Sequence, residues 1–91
     1  MLHLVTRTPA LAGALAASGG DDDVVLMHQA VLAAVGALPR AIASGPRLHA
    51  MTADLLARGL APASLPAGVA ALDDAGLVAL AVAHRQSLTW S

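Results

Sequence analysis

Four histidines, His3, His28, His49 and His84, and six aspartates are the side chains of this 91-residue sequence that could carry acid–base or metal chemistry; it contains no glutamate and no cysteine. No two histidines stand three or four residues apart, so no pair shares a helix face. A zinc site would have to assemble in three dimensions from strand ends, with an aspartate as third ligand. The lack of any thiol removes cysteine nucleophiles, thiolate metal centres, disulfides and persulfide carriage together, because each needs a thiolate sulfur. Ser44, Ser64 or Ser87 could be combined with a histidine and Asp73, but no Gly-x-Ser-x-Gly turn exists to expose a nucleophile. The glycines form neither a Gly-x-Gly-x-x-Gly nor a P-loop pattern, which leaves no phosphate cradle. Asp21-Asp22-Asp23 reads as a solvated turn, since a divalent-cation site needs several more oxygen ligands. His3 and His49 read as partly buried strand residues bonded to backbone or to a partner chain. His84 reads as a cation at the negative end of a helix dipole. No catalytic residue, metal ligand or cofactor site is assigned.

Those side chains must be positioned by short strands alternating with short helices. Met1–Thr6 reads as a strand. Thr8 then caps a helix with Pro9 at its first position, Leu11 and Leu15 on one face, and Gly19-Gly20 at its end. Val24–Met27 is an uninterrupted apolar run, the pattern of a strand covered on both faces. Val31, Leu32 and Val35 mark a short helix that Gly36 stops, and 37–46 reads as loop with a helical turn. Arg47–Met51 is the third strand. Thr52–Gly59 is a compact helix with Thr52 as N-cap, Asp54 in its first turn, Arg58 in its last and Gly59 beyond it. Val69–Leu72 is the fourth strand. Asp73 or Asp74 caps the last helix, on which Leu77, Leu80, Ala81 and His84 recur at i, i+3, i+4 and i+7. Ser87–Trp90 is a terminal strand or an extended tail. The alternation predicts an α/β fold, a small three-layer α/β/α sandwich with a mainly parallel sheet of four to five strands and one domain over 1–91. In such sheets ligands and partners meet the carboxyl ends of the strands. Thr6, His28 and Thr52 fall there, and His28 is the histidine assigned to contact.

Composition narrows the function further. Hydrophobic residues make up 57% of the chain and charged residues 12%, about half the usual charged share of ~25%. Much of the apolar content is alanine, so the core is thin and some apolar surface needs a subunit interface to cover it. Trp90, the single aromatic residue, reads either as local packing or as a partner anchor. The five arginines are scattered and there is no lysine. Direct nucleic-acid binding, which needs a basic patch and stacking aromatics, is not expected. In the first twenty residues Leu2, Leu4 and Val5 precede the first positive charge, the wrong order for a signal peptide. No run reaches the ~18–20 apolar residues of a membrane span. A cytoplasmic protein is expected.

With these features placed, the sequence resembles the TusB/DsrH family, the smallest subunits of sulfur-relay complexes. Met1-Leu-His3 followed by Arg7-Thr-Pro9 is similar to the family's opening. Gly20-Asp21 before the apolar strand, Val31-x-Ala-Ala34 and Asp54-Leu-x-Ala-Arg-Gly-Leu60 follow in order. Asp73, Val78-x-Leu80, His84 and Trp90 match the closing pattern. The chain departs from the family at His28-Gln29-Ala30, where a Gln/Glu-Asp-Gly turn is usual, and at Asp74 and Leu77. The resemblance implies a DsrE-like sandwich and assembly with TusC-like and TusD-like subunits into a heterotrimer that dimerises to a heterohexamer. It implies a non-catalytic structural role in passing persulfide sulfur towards 2-thiolation of the tRNA wobble uridine. A DsrH-type subunit in sulfur oxidation is the alternative within the family, and a small His-dependent metalloenzyme the alternative outside it. Trp90 and His28 are the residues assigned to partner contact.

Overall fold

The computed structural model describes residues 1–34 and 45–91. The expectations for Val35, Gly36 and most of the following loop lie outside them. The apolar runs become five strands of one sheet: β1 Leu2–Val5, β2 Asp23–Leu26, β3 Arg47–Met51, β4 Val69–Leu72 and β5 Ser87–Trp90. Their order is β4-β3-β2-β1-β5 and every neighbouring pair is parallel. The expected α/β class therefore holds, and the terminal segment is a strand beside β1.

Right-handed crossovers explain the layers. From β1 to β4 the chain steps across the sheet in one direction, so right-handed crossovers put the helical segments that follow β1, β2 and β3 on one face. That face is covered by α1 (Leu11–Ala17), a 3-10 segment at His28–Ala34 and α2 (Thr52–Ala57). Leu11, Ala14, Ala30, Val31 and Leu55 pack there on Val5, Val24, Leu26, Leu48 and Ala50. The step from β4 to β5 runs back across the sheet, and a right-handed crossover then places α3 (Asp74–Ala83) on the opposite face. Leu77 and Leu80 of α3 lie over Leu2, Val25 and Met51. β2, covered from both sides, is buried at all four positions.

Several caps differ from expectation. Arg7, not Thr8, precedes the first helical turn, a 3-10 turn at Thr8–Ala10 that leads into α1. The Thr8 amide is taken instead by Gln29 Oε1 at 2.7 Å. The helix expected around Val31 is the 3-10 segment, with Val31 buried and Leu32 exposed. Thr52 is the first residue of α2 and Met51 its cap, without a side-chain bond, because β3 runs straight into the helix. Asp73 caps α3 as expected, accepting from the Gly76 amide at 2.7 Å. Gly59 follows α2 at φ +72°, a left-handed conformation open to glycine.

Candidate functional site

The polar residues converge at the amino ends of the strands. Register pairs Asp23 with Arg47 across β2 and β3, and Val25 with His49. Side chains two apart share a face, so Asp23, Arg47 and His49 lie together on the α3 side. The end of α3 adds His84, its C-cap residue. Asp23 is 1% exposed. Arg47 donates through Nε to Oδ1 and through Nη2 to Oδ2, both at 2.9 Å. His49 Nε2 donates to Oδ1 and His84 Nε2 to Oδ2, both at 2.7 Å. The fork of the guanidinium matches the carboxylate. Hydrogen bonds from Arg47, then from His49 and His84, hold the Asp23 carboxyl well below the usual carboxylate range against the opposing effect of burial.

Asp22 organises a second set towards the other face. It accepts from the Met1 amino group at 2.8 Å, from the Gly19 amide at 3.1 Å and from His3 Nε2 at 3.0 Å. The bond from the Met1 amino group is the largest cause of its depressed carboxyl pKa. Trp90 Nε1 donates to His3 Nδ1 at 3.0 Å. An indole is a donor only, so Nδ1 accepts and the proton of His3 sits on Nε2, aimed at Asp22. The half-buried Trp90 ring packs on the α1 side, near enough to Gly13 that a Cβ there would meet it at 3.3 Å.

Sequence reasoning missed this network. Of the solvated turn read over Asp21–Asp23 only Asp21 is both in a turn and exposed; Asp22 is partly buried, and Asp23 begins β2 and is buried. The rings of His3 and His49 bond to aspartates, not to backbone. The donors on Asp23 occupy both of its oxygens, so it is a saturated acceptor that ties β2, β3 and the end of α3 together. It is not a free general base. Among the described residues no group of three histidines or aspartates is placed to hold a metal ion.

At the carboxyl edge His28 stands just beyond β2, exposed, at φ +50°. Its Nδ1 is 3.7 Å from Asp54 Oδ1, at ion-pair distance and beyond a hydrogen bond. β1 lies between the strands leading to His28 and Trp90, so the two residues named for contact occupy separate places. Between β1 and β5, where the winding reverses, the Thr6 amide and Oγ1 both donate to the Trp90 carbonyl, at 2.9 and 3.2 Å. These bonds extend the β1–β5 pairing to the carboxyl edge, at the point where ligands usually enter such sheets.

A family model described as DsrH like protein matches residues 6–87. The chain belongs to the DsrH-like family. The matched span contains the whole Asp23–Arg47–His49–His84 network and His28, and it stops short of Trp90. No curated protein matches the chain. DsrH-like proteins are subunits of multi-subunit sulfur-relay complexes. No helix among the described residues is long and apolar enough to cross a membrane.

Proposed function

We propose that this DsrH-like chain is a non-catalytic structural subunit of a heteromeric sulfurtransferase that acts in 2-thiolation of the tRNA wobble uridine. It works beside TusC-like and TusD-like subunits in the cytoplasm. One observation carries the reading: a member of a sulfur-relay family contains no cysteine. Sulfane sulfur is relayed on thiolates, so the atom that carries it must belong to another subunit, and this chain contributes shape and contact. The Asp23 and Asp22 networks fit that role, since they stiffen the amino edge and engage His3, His49 and His84 in bonds to carboxylates. Trp90 and His28, at two places on the carboxyl edge, are the proposed contact residues.

Co-expression with the two sister subunits is expected to give one co-purifying complex. Deletion of the gene is expected to abolish 2-thiouridine at the wobble position. Unchanged 2-thiouridine in the deletion strain refutes the thiolation role and leaves sulfur oxidation as the pathway to measure. A chain that purifies as a stable species and ignores both sister subunits refutes the structural role itself.

A further inference from the structure

Both ring nitrogens of His3 are engaged by side chains: Nε2 donates to Asp22 at 3.0 Å, and Nδ1 accepts from Trp90 Nε1 at 3.0 Å. The ring is 1% exposed. The strands on either side of it offer Val24 and Leu88, and α1, on the same face of the sheet, carries no titratable residue. Its charged neighbours are the Asp22 carboxylate and, on that carboxylate, the Met1 amino group. The bond from that amino group holds the Asp22 carboxyl well below the usual carboxylate range, so Asp22 stays ionised wherever a histidine titrates. Trp90 is held in two separate ways. Its carbonyl accepts from the Thr6 amide and Oγ1, and its ring is held by the His3 bond and by packing beside Gly13.

We propose that His3 is a proton-operated latch for the Trp90 side chain: neutral His3 holds the indole against α1, and protonated His3 releases it. An indole N–H only donates, so it can bond Nδ1 only while that nitrogen is bare. A second proton on the imidazole must enter at Nδ1, since Nε2 already carries one, and two N–H groups then face each other at 3.0 Å. The contact turns repulsive. The ring centroids are 6.1 Å apart with the planes at 39°, and the indole turns its electropositive N–H edge, not its face, to the new cation. A buried Nδ1–H also lacks an acceptor there, a cost that is removed when the indole turns away and water enters. Asp22 stays anionic and keeps the Nε2 bond in both states, so the bond to Trp90 is the one that changes. Thr6 keeps the Trp90 backbone on β1, which makes release a side-chain movement that leaves β5 paired. The side chain that moves is the one proposed above for partner contact. Control of that contact rests on that reading, while the latch belongs to this chain alone.

The chain has one tryptophan, so nitrogen labelling of this chain gives a single indole N–H resonance, readable in the free full-length protein or in its complex. From about pH 8 to about pH 5, where histidines change charge, that resonance is expected to move from its bonded to its free position in a single-proton step. The far-UV spectrum is expected to stay unchanged, and Trp90 emission to shift to longer wavelength in the same step as the ring meets water. His3→Asn sets an amide oxygen close to the position of Nδ1 and cannot titrate, so the resonance is expected to stay at its bonded position throughout. A constant wild-type resonance, a step that survives in His3→Asn, or loss of the far-UV signal in the same step overturns the proposal. Should His3→Asn fail to fold, the ring-nitrogen resonances of wild-type His3 decide the matter. Nδ1 is expected to be bare at the alkaline end and to gain its proton in step with the indole movement. A proton on Nδ1 at the alkaline end, or one gained without indole movement, overturns the latch. A step that is present while sister-subunit binding is equal on both sides of it supports the latch and removes Trp90 from the contact reading.

Discussion

On one side of the sheet α1, the 3-10 segment and α2 bury Leu11, Ala14, Ala30, Val31 and Leu55 against the strands. On the other, α3 covers Leu2, Val25 and Met51 yet has no buried residue of its own. Both sides use the same residue types, so hydrophobicity does not distinguish them. What differs is completion. The centre of the first face is closed by buried residues of this chain, and the second is covered, among the described residues, by one helix whose far side is as apolar as its near side. The Asp23 network belongs to the second face and ties the C-terminal end of α3 to β2 and β3.

The contrast is broken most directly by Leu55→Ala. It removes a fully buried side chain from the closed face and should cost about 2–5 kcal/mol. Val82→Ala on the far side of α3 should stay within about 0.5 kcal/mol. Denaturant unfolding of both variants measures the difference, and comparable losses would erase the distinction between the faces.

Asp23→Ala attacks the tie itself and should cost about 3 kcal/mol, because it strips the buried acceptor from its donors. The pH dependence has a definite sign. The folded Asp23 carboxyl is held below its unfolded value, chiefly by Arg47. Its stabilisation is therefore complete above the unfolded carboxylate pKa of ~3.9 and is lost as pH falls below it towards the folded value. Unfolding free energy followed from neutral to acid pH should fall less steeply in Asp23→Ala than in wild type, and identical slopes would remove Asp23 from the account. Asp73→Ala is expected to cost less than Asp23→Ala and more than Val82→Ala. Loss of its bond to the Gly76 amide should cost about 1 kcal/mol, with hydrogen exchange rising in α3 and unchanged in β2.

Much of the fold was legible because strand and helix periods are local properties. The runs Val24–Met27, Arg47–Met51 and Val69–Leu72 were read as strands within a residue or so of their bounds, and Asp73 was read as a cap from its position alone. Thr8 and Thr52 were misread because a capping role depends on what else can reach the free amides. Gln29, twenty-one residues from Thr8, took one of them.

The site was less legible. The histidines in the network lie 35 residues or more apart in sequence and are joined through Asp22 and Asp23, which local pattern counted as a solvated turn. The period of two places Asp23 and Val25 on one face of β2, but only register sets Arg47 and His49 beside them. Register between parallel strands is set by crossovers and packing over the whole chain. Composition excluded a cysteine thiolate as a sulfur carrier in this sequence, since no fold can supply an absent thiolate, and it foretold exposed apolar surface. Which apolar surface stays exposed, and which acids and histidines meet, depended on the return crossover that put α3 on the opposite face. Handedness acts through tertiary structure and leaves no mark in the order of residues.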